Sequence, residues 1–250
     1  DIISLIYIFS CPGNAIRSAQ EMAGRMPEFA DFTFAEKLYM GLANVERIFI
    51  AELDPVYCVV AAVLVLLVYR KTGDYRKTLL AGIPALLLFG QAVVRVSHPS
   101  LKKVFVRPEQ TTHWDWHALV TYMPLVFLVL SVWGILYALW QLADGVWKHY
   151  LWTAFLLAGG FAMGVVMGFS PTIYASANRP YLYLYFVLIY VCADAVWNMG
   201  GMKAVWKTGS SDAVRKMPVP EKLMFTVLGL LVLANILDVT RMCWLLGRIL

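Results

Sequence analysis

The chain has 250 residues, 60% of them hydrophobic and only 15% charged, with a mean hydropathy of +0.67. Soluble domains carry about 25% charged residues, so this composition excludes an ordinary soluble globular protein and points to an integral membrane one. The net charge of +5 does not indicate nucleic-acid binding, because the basic residues sit mainly in loops between apolar runs, where they set membrane orientation.

The long uninterrupted apolar runs predict an all-α polytopic bundle, a single transmembrane unit over residues 1–250; a β-barrel would show short alternating segments instead. The opening stretch, DIISLIYIFS, is too short to cross a hydrocarbon core that needs about 20 residues. It also lacks the basic start and small-residue cleavage site of a signal peptide. It reads as the final half of a span, so the chain is expected to be part of a longer protein with an N-terminal region upstream.

CPGNAIRSAQ, residues 11–20, follows directly. Pro12-Gly13 suits a type II turn, and Asn14 then suits the N-cap of a helix through Met26, ended by Pro27. The unpaired N–H groups of that helix start, with Arg17 one turn further, suit a phosphate or carboxylate. The competing reading pairs Arg17 with Glu21, four residues on.

Residues 33–52 are too polar to span. Thr33 and Glu36 form a capping-box pattern, and Leu38, Leu42, Val45 and Phe49 recur at helical spacing. The pattern predicts an amphipathic helix, lying along the outer interface or packed on other outer loops.

Six apolar runs then follow, at 55–70, 78–95, 119–141, 151–170, 180–203 and 221–246. Asp54-Pro55 offers an N-cap followed by proline at the first helical position, and Arg179-Pro180 repeats the proline placement. Pro84 and Pro124 fall inside runs, where they are expected to kink the helix. SVWG, LAGGFAMG and NMGG put small residues where neighbouring backbones can approach. The fold class is therefore six full spans plus a partial N-terminal span, with an amphipathic interfacial helix.

Lys and Arg concentrate in the loops 70–77, 142–150 and 204–220, which assigns these to the cytoplasm of a plasma membrane. The segments 11–54, 96–118 and 171–179 then lie outside. Basic residues there are not explained by topology and so carry functional weight.

The 96–118 segment holds Arg107, Glu109, His113, Trp114, Asp115, Trp116 and His117. His113 and His117 have the i,i+4 spacing of a zinc helix, yet neither the accompanying glutamate nor a third ligand is evident. No metal is assigned, and the sequence names no cofactor. Asp115 and Glu109 are candidate general bases, with His117 as another proton carrier. In the 168–185 stretch, Asn178 and Arg179 sit at the mouth of the bundle. An unpaired cation there is costly, so Arg179 either pairs with Glu52 or Asp54 or awaits an anionic ligand. Tyr181, Tyr183, Tyr185 and Tyr190 read as an interfacial aromatic belt.

Asp194 and Asn198 lie one turn apart within a predicted span, as an interhelical hydrogen-bonding pair or a functional intramembrane acid. Asp238 and Arg241 read as self-paired. Cys11, Cys58, Cys192 and Cys243 have no metal-type spacing; Cys11 and Cys58 share a side, which leaves a disulfide open.

PGNAIR directly behind a span, ahead of a polytopic bundle with loaded outer loops, resembles a bacterial multi-spanning family with a P-G-N-x-x-R element, grouped with lipid-linked glycosyltransferases of the GT-C type. The resemblance implies a polyprenyl-phosphate-linked sugar as substrate, with membrane lipid as surroundings and no nucleic-acid partner. Asn14, Arg17, Arg107, Asn178 and Arg179 would then bind the phosphate. The acidic residue of that family's first outer loop would precede Asp1, so it transfers to no residue here. A transporter or flippase using Asp194, and a non-catalytic subunit presenting its outer loops to another chain, are the alternative expectations.

Overall fold

A computed structural model describes residues 12–24, 26–97, 116, 119–143, 145–174 and 179–199; for 12–15, 95–97, 120 and 179 it describes the backbone alone. Among the described residues every regular element is helical. The α-helices are α1 (Pro12–Gly24), α2 (Phe34–Glu46), α3 (Pro55–Thr72), α4 (Tyr75–Ala81), α5 (Ile83–Ser97), α6 (Leu119–Leu142), α7 (Trp147–Val166) and α8 (Leu182–Asn198). Short 3-10 turns cover Pro27–Asp31, Met167–Phe169 and Arg179–Tyr181, and a π-helical turn, Arg47–Ala51, extends α2.

Three helical stretches are long and apolar enough to cross a membrane: Pro55–Thr72, Thr121–Leu142 and Trp147–Phe169. The pair α4 and α5 makes a fourth if counted as one bent span, and α8 is a shorter apolar helix. The expected runs at 1–10 and 221–246 lie outside the described residues, as do Cys11, Cys243, Asp238 and Arg241.

Local chemistry sets the helix ends. Asp54 caps α3, its Oδ1 accepting from the Tyr57 N–H at 2.9 Å, and Pro55 takes the first turn, where no N–H is needed. Gly73, at φ 60°, closes the same helix in a left-handed conformation that side-chain-bearing residues rarely adopt. Asp74 then restarts the chain by accepting from the Arg76 N–H at 2.8 Å. The run expected at 78–95, with a kink at Pro84, is bent by 61° between α4 and α5. Pro84 has no N–H for the carbonyl four residues back, so the helix breaks just before it. The proline ring rests on α6 at Gly134, where an added Cβ would meet Pro84 Cδ at 2.5 Å.

The two-residue link from α3 to α4 and the four-residue link from α6 to α7 lie at one end of the bundle, the basic end. There Lys71 Nζ donates to the Leu142 carbonyl at 2.8 Å. At the far end, Asp54 opens α3 and Tyr185 sits in the first turn of α8, joined by a hydrogen bond of 2.7 Å. Helix α3 runs through the centre, burying Val60, Leu64, Leu67 and Val68 against α6 and α8.

Helix α2 gains its position from contacts the sequence does not show. The capping box forms as expected, with Thr33 Oγ1 accepting from Glu36 N and Glu36 Oε2 accepting from Thr33 N. One side of the helix packs on the bundle, while Phe34 and Leu38 stay exposed. It is wedged against α6 and α7 and buries Tyr39, Met40, Gly41, Asn44, Val45 and Glu46. The reason is a groove of glycines at four-residue spacing on α7 and its 3-10 extension: Gly160, Gly164 and Gly168. A Cβ at Gly164 would meet Val45 and Tyr181, one at Gly168 the backbone of Lys37 and Gly41, and one at Gly160 Leu184 of α8. Close backbone contact of this kind drives helix association where lipid removes the hydrophobic incentive.

Candidate functional site

The far end carries a polar cluster built on the α2–α3 corner. After Glu46 the helix widens into its π turn, and Leu53 then adopts φ 58°. A branched side chain in that region costs energy, and π turns and such outliers gather at functional sites. The corner turns Asn44, Arg47, Glu52 and Asp54 toward Tyr174, Tyr181 and Tyr185.

Each polar group has a defined partner. Asn44 is buried; its Nδ2 donates to Tyr181 Oη through a short hydrogen bond, and its Oδ1 accepts from Arg47 Nε at 3.0 Å. Arg47 Nη1 lies 3.4 Å from Glu52 Oε1, and its guanidinium stands 5.4 Å from the centre of the Tyr174 ring. Asp54 accepts from Tyr57 N through Oδ1 and from Tyr185 Oη through Oδ2. Burial pushes the Asp54 carboxyl above its ordinary value, and the hydrogen bonds from Tyr185, Tyr57 and Val56 offset part of that rise. Asp54 is thus occupied as a cap and interhelical tie, whereas Glu52 is half-exposed at the rim.

Beside this cluster, Phe29, Tyr39, Met40 and Ile173 form a small buried core on which Met22 of α1 and Tyr174 both pack. Met22, Ile173 and Tyr174 therefore share one small core with Tyr39 and Met40 of α2, and Tyr181 bonds Asn44 of the same helix.

At the basic end, His149 Nε2 lies 2.7 Å from Asp194 Oδ2 and joins α7 to α8. Asn198 Nδ2 reaches Asp194 Oδ1 at 3.2 Å and His149 Nε2 at 3.1 Å. The 2.7 Å contact requires a proton between imidazole and carboxylate, so Nε2 cannot also accept from Asn198 while it donates to Asp194. A cavity of about 10 Å³ beside them is lined by Tyr150, Thr153 and apolar side chains of α6 and α8. That is the size of a single water site.

The residues singled out from sequence fare differently. Asn14 lies inside α1, whose first helical residue is Pro12, so it is not the N-cap, and Pro12-Gly13 is helix rather than type II turn. Proline is preorganised for a first helical position, which lets the helix start three residues early; it also ends earlier, at Gly24. Arg17 is exposed. Arg179 opens the 3-10 turn, but its side chain lies outside the described residues, as do Asn178, Arg107, Glu109, Asp115, His113 and His117. Trp116 is described; its ring packs edge-on against Tyr39 at 5.4 Å between centroids. The four-tyrosine belt divides: Tyr181 and Tyr185, one turn apart, face inward to Asn44 and Asp54, while Tyr183 and Tyr190 face outward. Cys58 and Cys192 are free thiols, and no metal-binding cluster occurs among the described residues.

Asn44, Arg47 and His149 were not singled out from sequence. Asn44 and Arg47 stand at i,i+3 in a stretch that alternates charged and apolar residues, a pattern equally typical of a solvated surface helix. His149 adjoins a basic loop that topology alone explains. No protein-family model, curated protein or solved structure matches this chain.

Proposed function

We propose that the protein is a membrane glycosyltransferase-like enzyme that takes a sugar from a polyprenyl-phosphate carrier at the outer face of a bacterial inner membrane. The basic end is cytoplasmic in this reading and the far end faces outward, in line with the Lys and Arg distribution. The full architecture is six spans plus the partial N-terminal one, with residues 1–10 and 221–246 completing it.

One observation supports the reading above the others. Segments far apart in the chain come near α2: Met22 of α1 packs on the core that holds Tyr39 and Met40, and Tyr181, two residues after Arg179, bonds Asn44. In the proposed reaction an acceptor hydroxyl attacks the anomeric carbon as the bond from that carbon to the phosphate oxygen breaks. The electron pair stays on the phosphate, where Asn14, Arg17, Arg107, Asn178 and Arg179 offset the charge. Asp115, Glu109 or His117 takes the acceptor proton.

The test is donor binding. Wild type and the Arg17→Ala, Arg179→Ala double variant would be compared in nanodiscs for binding of a polyprenyl-phosphate sugar. Loss of binding in the variant is expected, and equal binding removes the main support.

A further inference from the structure

The geometry points to Arg47 as a phosphate-binding residue at the far end, one that the outer-loop arginines do not replace. The inference rests on the reading above and names a binding residue within it.

Arg47 stands on the π turn with its side chain only 15% exposed, held on three sides. Nε donates to Asn44, Nη1 faces Glu52, and Cζ stands over the Tyr174 ring. These contacts fix a side chain that is otherwise among the most mobile, so little ordering cost remains for a ligand. Among the described residues Nη2, with two N–H donors, has no protein partner. It is also not a buried orphan, since Glu28 Oε2 is the one such side-chain atom there. With the side chain 15% exposed, Nη2 is the donor pair left for a ligand to use.

The position suits the ligand. Asn44 bridges Arg47 to Tyr181, which lies two residues beyond Arg179, so the guanidinium is one amide away from the turn that opens the last described helix. The Glu52 contact is longer than the 2.7–2.9 Å of a strong charge-assisted bond. A phosphate, with more charge and a matching pair of oxygens, competes well with a half-exposed carboxylate for such a fork.

The experiment measures binding to the full chain in nanodiscs of zwitterionic lipid, with two probes: a polyprenyl phosphate in the bilayer and inorganic phosphate in solution. Arg47→Ala is expected to weaken polyprenyl-phosphate binding about tenfold or more, the worth of one hydrogen bond to a charged group. Arg47→Lys, which keeps the charge and loses the fork, is expected to fall between and also serves if the alanine variant does not fold. Wild-type binding with both variants within twofold of it overturns the role of Arg47 and leaves the proposed function standing. No polyprenyl-phosphate binding by wild type overturns both. Inorganic phosphate binding as tightly as the lipid, and lost with Arg47, keeps the phosphate site and removes the lipid carrier as its source.

Discussion

Gly41 gives the sharpest test of how α2 is seated. An added Cβ would lie 2.1 Å from the Val165 carbonyl oxygen, 2.9 Å from its carbon and 3.0 Å from its Cα, all backbone atoms of α7. Carbon and oxygen approach without strain only to about 3.3 Å, so α2 and α7 must separate by roughly 1.2 Å. Backbone cannot swing aside as a side-chain tip can, and overpacking of this kind costs about 1–3 kcal/mol or more. Alanine gains about 1 kcal/mol of helix propensity over glycine, which sets the sign problem clearly. Gly159→Ala on α7, where nothing lies within 4 Å, collects that gain with no clash. Thermal unfolding in detergent should therefore show Gly41→Ala melting below wild type and Gly159→Ala at or above it. Gly41→Ala melting at or above wild type would refute the close seating of α2 on α7 and the polar corner built on it.

Asp54 yields a pH signature. Burial raises its folded pKa above the ordinary 3.8, so the native state holds the proton more tightly than the unfolded chain does. The stability this contributes is full below the ordinary value and is lost as pH rises through the raised one. The wild-type melting temperature, minus that of Asp54→Asn, should fall across that window, and a flat difference would show that Asp54 is not buried in this way. For the His149–Asp194 contact, a double-mutant cycle of His149→Ala and Asp194→Ala should depart from additivity by about 0.5–3 kcal/mol; additive losses would mean that the two side chains do not meet.

What the residues announced by themselves was anything encoded over one or two helical turns. Hydropathy marked the runs that became α3, α6 and α7, because the bilayer demands length and apolarity along the chain itself. The Thr33–Glu36 box and the Asp54-Pro55 start were equally legible, since a cap and its partner lie three residues apart. The 61° break before Pro84 was half legible: the proline marks the place, while its seat on Gly134 of α6 is a contact across 50 positions.

Only the tertiary structure decided how α2 is held, which tyrosines turn inward, and which partner each charge takes. Gly41, Gly168 and the Val165 carbonyl come together from opposite halves of the described chain, and that meeting seats α2, whose own periodicity had marked Val45 and Phe49 for burial. Arg47 reads locally as one charge on a polar helix; it becomes a fixed guanidinium because Tyr174 and the Asn44–Tyr181 bridge arrive more than 120 residues later in the sequence. The physical reason is common to these cases. In an apolar bundle the backbone hydrogen bonds of each span are satisfied locally, so a sequence can specify the helices alone, whereas the pairing of small residues and buried polar groups depends on which surfaces meet.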